Sequence, residues 1–134
     1  MNRWILLFAV GLAISVLPVQ AHHSVSGMYD TSQQVTFEGV VAQFAFVNPH
    51  PYVTLEVRKD GSEPQRWKLE MDNLSELIQA GMTKESLKPG DRVVVSGNPI
   101  KTKDTILYIR KLERSADGFV YEQAGRSPTV RGGR

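Results

Sequence analysis

Alternation of apolar and polar residues across residues 35–57 predicts two β-strands joined by a turn. In the first strand, Val35 and Phe37 place apolar side chains on one face, whereas the apolar residues within 40–46 favour the opposite face. Because side chains alternate with a period of two, this change of face predicts a bulge or sharp bend beside Gly39. A bent strand can pair with two neighbours in different directions, as the first strand of a small closed barrel does.

The same alternation predicts three further strands. The third lies around Trp67, after a turn at 59–62, and two more follow at 93–96 and 105–112. Residues 119–121 continue the sheet after a second turn. These segments account for most of the apolar residues in the second half of the chain.

Between the third and fourth strands the apolar spacing becomes helical. Leu74, Leu77 and Ile78 share one helical face, Asn73 is suited to begin the helix and Gly81 to end it. Three strands, a helix and two strands form the element order of an OB-fold. The sequence therefore predicts an all-β domain with one short helix, a small five-stranded OB-fold-like barrel; the alternative is another small barrel or sandwich plugged by the helix.

The first 21 residues have the pattern of a secretory signal peptide. Arg3 provides a positive start, residues 5–17 an apolar segment, and Val19-Gln20-Ala21 a small-residue cleavage site. The alternative is an uncleaved membrane anchor, but the apolar run is shorter than the ~20 residues that span a bilayer. We therefore expect a periplasmic or secreted protein that begins at His22 and has no membrane span after cleavage.

The remaining chain is divided into three segments. Residues 22–34 are polar and small and are interpreted as an N-terminal arm, and residues 35–122 form the barrel domain. Residues 123–134 lack apolar periodicity and are predicted to be a disordered tail.

Composition and charge exclude several kinds of function. The chain has no cysteine, which excludes disulfides, thiol catalysis and cysteine metal sites. The full chain has 16 basic and 14 acidic residues, and removal of the leader takes away one of the basic ones, Arg3. The mature domain is therefore near neutral and gives no electrostatic support for nucleic-acid binding. The sequence also has no serine elbow, phosphate-binding loop, dinucleotide fingerprint or close carboxylate pair at a predicted cleft. A binding protein is favoured over an enzyme.

The three histidines suggest a copper site. If His22 is the mature N-terminus, its α-amine and its ring can chelate one metal ion, and His50 can supply a third nitrogen when the arm folds back. His23 offers a second route through the α-amine, the intervening amide and its own ring. Nitrogen-only, near-planar ligand sets suit Cu(II) best among the common divalent ions. The alternative is that His22 and His23 only form a solvated terminus and that His50 only fixes its turn by hydrogen bonds to the backbone.

The other hypothesis is a metal-free binding module for a peptide, glycan or protein partner. Its surface would include the aromatic residues Phe44, Phe46 and Tyr52 on the barrel face. Further candidates for a ligand platform, or for contacts that support a metal ligand, are Asn48, Trp67 and Glu70. Of these, Trp67 is favoured as a core residue, and Glu70 is the best carboxylate to orient a histidine.

Several short motifs together resemble a family of small exported bacterial proteins of unknown function. They are the mature start His22-His23-Ser24, Tyr29-Asp30, Asn48-Pro49-His50, Trp67-Lys68-Leu69-Glu70, the helix end at 77–81, and the turn at 87–93. The chain departs from this resemblance at Phe46, where tryptophan is expected. The resemblance implies a periplasmic or secreted domain and no established activity.

Overall fold

The computed structural model describes residues 25–134. In chain order its elements are α1 (Val25–Met28), β1 (Val35–Ala45), β2 (Tyr52–Val57), β3 (Gln65–Glu70), α2 (Leu74–Gln79), β4 (Arg92–Pro99), β5 (Ile106–Arg114), β6 (Phe119–Glu122) and β7 (Thr129–Arg131). The strands have the sheet order β3-β2-β1-β4-β5-β6-β7, with an additional pairing of β3 and β5.

The pairing of β3 with β5 closes the barrel. These two strands run parallel, with Leu69 opposite Leu107 and Glu70 opposite Tyr108, whereas the other strand pairs are antiparallel. Five strands, β1 to β5, therefore form a closed barrel with α2 between β3 and β4, as the sequence predicts. The last two strands, β6 and β7, extend the sheet beyond the barrel. Strand β6 pairs with the C-terminal half of β5, where Arg114 lies opposite Phe119.

The first strand bends as its pattern predicts. Its first half pairs with β4 and its second half with β2, and the register with β2 shifts between Val41 and Gln43. Gly39 lies just before this bulge, and a Cβ atom there would be 2.7 Å from the carbonyl oxygen of Glu56. The glycine thus permits close contact with β2, while the bulge itself follows it along the strand.

The barrel interior is apolar and almost completely closed to solvent. Val53, Leu55, Leu69 and Leu107 have no exposed surface. Burial of an aliphatic side chain of this size contributes about 1.5–3 kcal/mol relative to leaving it exposed. The core is therefore the main source of stability in a domain without disulfides.

The predicted helix forms with the predicted cap. The Asn73 side chain accepts a hydrogen bond from the Glu76 backbone nitrogen at 3.0 Å, and Gly81 after the helix has a φ of 94°. Leu77 is fully buried, but Ile78 is 56% exposed. The helix thus covers the barrel with a narrower apolar face than its sequence suggests.

The structure differs from the sequence prediction at both ends of the described chain. The N-terminal arm contains a second short helix, α1, and joins the barrel through a bridge between Tyr29 and Ile100. The C-terminal segment, expected to be a disordered tail, contains β7, which pairs with β6. Arg134 also contacts both carboxylate oxygens of Asp91 at 2.9 Å. Backbone pairing and ion pairs, rather than apolar alternation, hold this segment in place.

Within residues 25–134, no helix has the length and apolar character needed to cross a membrane.

Candidate functional site

A cavity of about 680 Å³, lined by both apolar and polar side chains, lies where the N-terminal arm, the turn before β2, the start of α2 and strand β5 meet. This volume is within the range of about 300–1,000 Å³ that is usual for small-molecule sites. Its lining consists of Val25, Met28, Tyr29, Pro49, His50, Glu70, Met71, Asp72, Asn73, Glu76, Tyr108, Arg110, Gln123, Gly125 and Arg126. Segments distant in the sequence therefore converge on one site.

Asp72 connects three side chains at this cavity. Its Oδ1 accepts hydrogen bonds from the Tyr108 hydroxyl at 2.6 Å and from Gln123 Nε2 at 2.9 Å, and its Oδ2 accepts one from the Tyr121 hydroxyl. Burial and the nearby carboxylate raise the pKa of Tyr108 and of Tyr121 above the usual range, so both remain neutral donors. Asp72 therefore ties the start of α2 to β5 and β6.

Gln123 is held through its amide nitrogen. The residue is 5% exposed, and its Oε1 is buried with no hydrogen-bond partner among the described residues. Reversing the amide would turn Oε1 toward the carboxylate of Asp72, so the observed orientation is the favourable one.

Glu70 is a second, partly buried carboxylate of the cavity. Its Oε2 accepts a hydrogen bond from the Tyr29 hydroxyl at 2.5 Å, and Lys68 Nζ lies 3.0 Å from its Oε1. Burial alone would raise the pKa of Glu70, but the hydrogen bonds from Tyr29 and Lys68 and the charges of Lys68 and His50 outweigh it and keep that pKa below its usual range. Glu70 is consequently ionised at neutral pH, close enough to His50 for their charges to interact.

Arg110 is the basic residue of the cavity with the most fixed position. Its Nε donates to Asn98 Oδ1 at 2.6 Å, and its guanidinium lies over the Tyr108 ring, 4.9 Å from the centroid. Asn98 is itself fixed, because its Nδ2 donates to the Gln33 carbonyl at 2.7 Å. A chain of contacts thus orients the guanidinium before any ligand binds.

The structure brings two of the candidate residues from the sequence to this cavity. They are His50, which is exposed on the turn after the Asn48-Pro49 cis peptide, and Glu70. His22 and His23 lie outside the described residues. Among residues 25–134, no three histidine, aspartate or glutamate side chains are grouped as metal ligands.

The remaining candidates lie outside the cavity lining. Phe46 packs against Phe44 with ring centroids 5.6 Å apart, and Trp67 packs against Phe37 at 4.8 Å. All four rings are partly buried against the core, as expected for Trp67. Tyr52 lies beneath Lys68, whose Nζ is 4.9 Å from the ring centroid. Asn48, on the turn, is exposed.

Sequence reasoning missed Asp72, Tyr108, Arg110 and Gln123. A usable signal existed for two of them, because Tyr108 and Arg110 are two residues apart on one strand and so share a face. Asp72 gave no such signal, since it lies outside the strands and helices and its partners are 36, 49 and 51 residues away.

Together, the fold and the site define a small closed β-barrel with a cavity of mixed polarity between its N-terminal arm and α2. A family model described as "Family of unknown function (DUF6152)" matches residues 10–107, so the chain belongs to this family. No curated protein matches the chain.

Proposed function

We propose that the protein is exported to the periplasm and binds one Cu(II) ion through His22 and His50. The observation that carries this proposal is that Val25 and His50 line the same cavity. His22 precedes Val25 by three residues, and three residues of extended chain span at most about 10 Å. A mature terminus at His22 would therefore have the reach to approach His50.

The chemistry of this arrangement favours copper. The α-amine and ring of His22 would supply two nitrogens and His50 a third, and a nitrogen-rich set of this kind prefers Cu(II). Glu70 is ionised beside His50. A carboxylate near a metal-binding histidine commonly orients the ring and increases its basicity.

The test is a copper titration of correctly processed protein against a competing chelator, with the EPR spectrum recorded for each variant. One variant carries three additional alanines before His22, which keep every imidazole but separate the α-amine from the His22 ring. Three are needed because a histidine at the third position would form a new copper chelate with the amine and two backbone amides. The second is His50→Ala, which removes only the ligand on the barrel. Both should bind Cu(II) at least about tenfold more weakly than the wild type, which corresponds to about 1.4 kcal/mol.

His23→Ala is the matched control and should have a smaller effect, because the proposed set uses the ring of His22. Equal affinities in the wild type, the extended protein and His50→Ala would contradict the copper site. The alternative would then be a metal-free module that binds a peptide, glycan or protein through the barrel surface near Phe44, Phe46 and Tyr52.

A further inference from the structure

We infer that the cavity binds a small organic anion, a carboxylate or a phosphate ester, with Arg110 as its principal contact and Arg126 as a second cation. This inference requires no metal and is independent of the proposed copper site. It depends on how charges and hydrogen bonds are distributed around the cavity.

Arg110 is positioned as an anion-binding group. Its Nε is used by Asn98 and its guanidinium plane rests on Tyr108, but its two terminal nitrogens have neither a hydrogen bond nor an ion pair within residues 25–134. A half-buried guanidinium with free terminal nitrogens can take an anionic partner. The two unused nitrogens form a fork that matches the paired oxygens of a carboxylate or a phosphate.

The acidic residues of the cavity are already satisfied by donors. Glu70 is held by Tyr29 and Lys68, and Asp72 by three side chains. Glu76 Oε2 accepts a hydrogen bond from the Asn73 side chain at 2.6 Å. These donors occupy carboxylate oxygens, and within residues 25–134 none of the three carboxylates forms an ion pair with Arg110.

Arg126 adds a second positive charge to the same lining. It is exposed, and it has no ion pair with any other residue of the described chain. An exposed arginine can reorient toward a ligand with little loss of other contacts. An anion that contacts both guanidinium groups would gain two charged hydrogen-bond partners that a neutral ligand lacks.

The rest of the cavity is suited to an organic group. The rings of Tyr29 and Tyr108 are tilted against each other with centroids 5.6 Å apart, and Val25 and Met28 add apolar surface. A ligand with an aromatic or aliphatic body could contact these side chains while its anionic end reached Arg110. Cavities of this composition, apolar walls with a few placed polar groups, are typical of small-molecule sites.

The test uses metal-free protein in Tris buffer and three probes of similar size: benzoate, phenyl phosphate and the neutral benzyl alcohol. Affinity is measured by calorimetry, and the site is located by ¹H–¹⁵N shift changes. We expect one or both anions to bind and to shift the resonances of Arg110 and Gln123, with benzyl alcohol at least about tenfold weaker. The stronger of the two anions identifies the ligand class as carboxylate or phosphate.

Four variants connect binding to the proposed contacts. Arg110→Gln should weaken anion binding by about tenfold or more, Arg110→Lys should weaken it less because it retains the charge but loses the fork, and Arg126→Gln should have an intermediate effect. Arg66→Gln is the control, because Arg66 is exposed, pairs with Glu56 and lies outside the cavity lining.

The same spectra show whether each variant is folded, and Arg126→Gln and Arg110→Lys keep the test valid if Arg110→Gln does not fold. The inference is overturned if neither anion binds the wild type, if benzyl alcohol binds equally well, or if none of the three cavity variants binds more weakly than Arg66→Gln. Failure of copper binding would leave these outcomes unchanged, because no metal is present in the experiment.

Discussion

At the scale of single residues, Asp72 makes the most consequential contacts of the cavity. Asp72→Asn would replace one acceptor oxygen by an NH₂ group and remove the charge that the hydroxyls of Tyr108 and Tyr121 face. We expect a loss of about 2–3 kcal/mol in the free energy of unfolding, because hydrogen bonds to a charged group are lost and a buried donor is left unpaired. Urea unfolding of the wild type and Asp72→Asn at neutral pH measures this loss.

The control for this change is Asp104→Asn. Asp104 is exposed, and among the described residues its side chain accepts a hydrogen bond only from Thr102. Its replacement should therefore change stability by no more than about 0.5 kcal/mol. If the two variants were equally stable, the contacts of Asp72 would not be important for folding.

Residues with local partners were predictable, and residues with distant partners were not. The Asn73 cap is satisfied three residues away, by Glu76, so the sequence shows it directly. Arg110, by contrast, is oriented by Asn98 and through it by Gln33, which lies 65 residues from Asn98. No periodicity along the chain reveals such a connection.

At the scale of elements, an ion-pair cluster joins the β5–β6 turn to the loop before β4. Arg114 is 3% exposed and donates to Asp117 Oδ1 at 2.9 Å, to Asp117 Oδ2 at 2.8 Å and to Asp91 Oδ2 at 2.6 Å. The hydrogen bonds from Arg114 lower the pKa of Asp117 to about 2. Burial opposes ionisation of Asp91, but hydrogen bonds from Lys88, Arg134 and Arg114 still lower its pKa.

This cluster predicts a specific acid sensitivity. Because the pKa of Asp117 is lower in the folded state than its ordinary value of 3.8, its contribution to stability is complete above that value and is lost as the pH falls toward 2. Asp117→Asn should therefore be less stable than the wild type at pH 6 and should lose less stability between pH 5 and 2.5. Urea unfolding across this range provides the measurement.

Asp60→Asn, in the exposed β2–β3 turn, is the matched control and should follow the wild-type pH curve. A parallel loss of stability in the wild type and Asp117→Asn would show that Asp117 does not contribute to acid sensitivity.

Elements with apolar periodicity were predicted, and those without it were missed. The five barrel strands and α2 follow their sequence patterns to within a few residues. The strand β7, by contrast, has three residues, of which only Val130 is partly buried, and it is fixed by backbone pairing with β6. The four-residue helix α1 contains no buried residue and gave no pattern to recognise.

At the scale of the whole molecule, the residue pattern of the first 21 positions leads to a prediction about maturation. Intact-mass analysis of protein taken from the periplasm should give a chain that begins at His22, because the apolar segment and cleavage pattern of residues 1–21 have the form of a signal peptide. Protein with an altered cleavage site, Ala21→Asp, should remain unprocessed. Recovery of the wild type with its leader intact would contradict the prediction and would remove the free amine that the copper site requires.

The barrel was predictable as a whole because its element order determines its topology. Three strands, a helix and two strands leave few ways of closing a sheet around one apolar core, and the bend in β1 favours the observed one. The cavity was not predictable in the same way, because its lining comes from the arm, a turn, a helix start, the interior of β5 and the segments at the ends of β3 and β6. Its existence depends on how closely these segments approach one another.

The parallel contact between β3 and β5 has a consequence for the way the chain folds. The pairs β1–β2 and β2–β3 join strands that are consecutive in the sequence. Strands β3 and β5, by contrast, are separated in the sequence by α2 and β4. Closing such a long loop costs entropy before the new contacts compensate for it. We therefore expect the first three strands to associate early as a meander and the seam between Leu69 and Leu107 to form late, so that substitutions at this seam accelerate unfolding more than they slow folding.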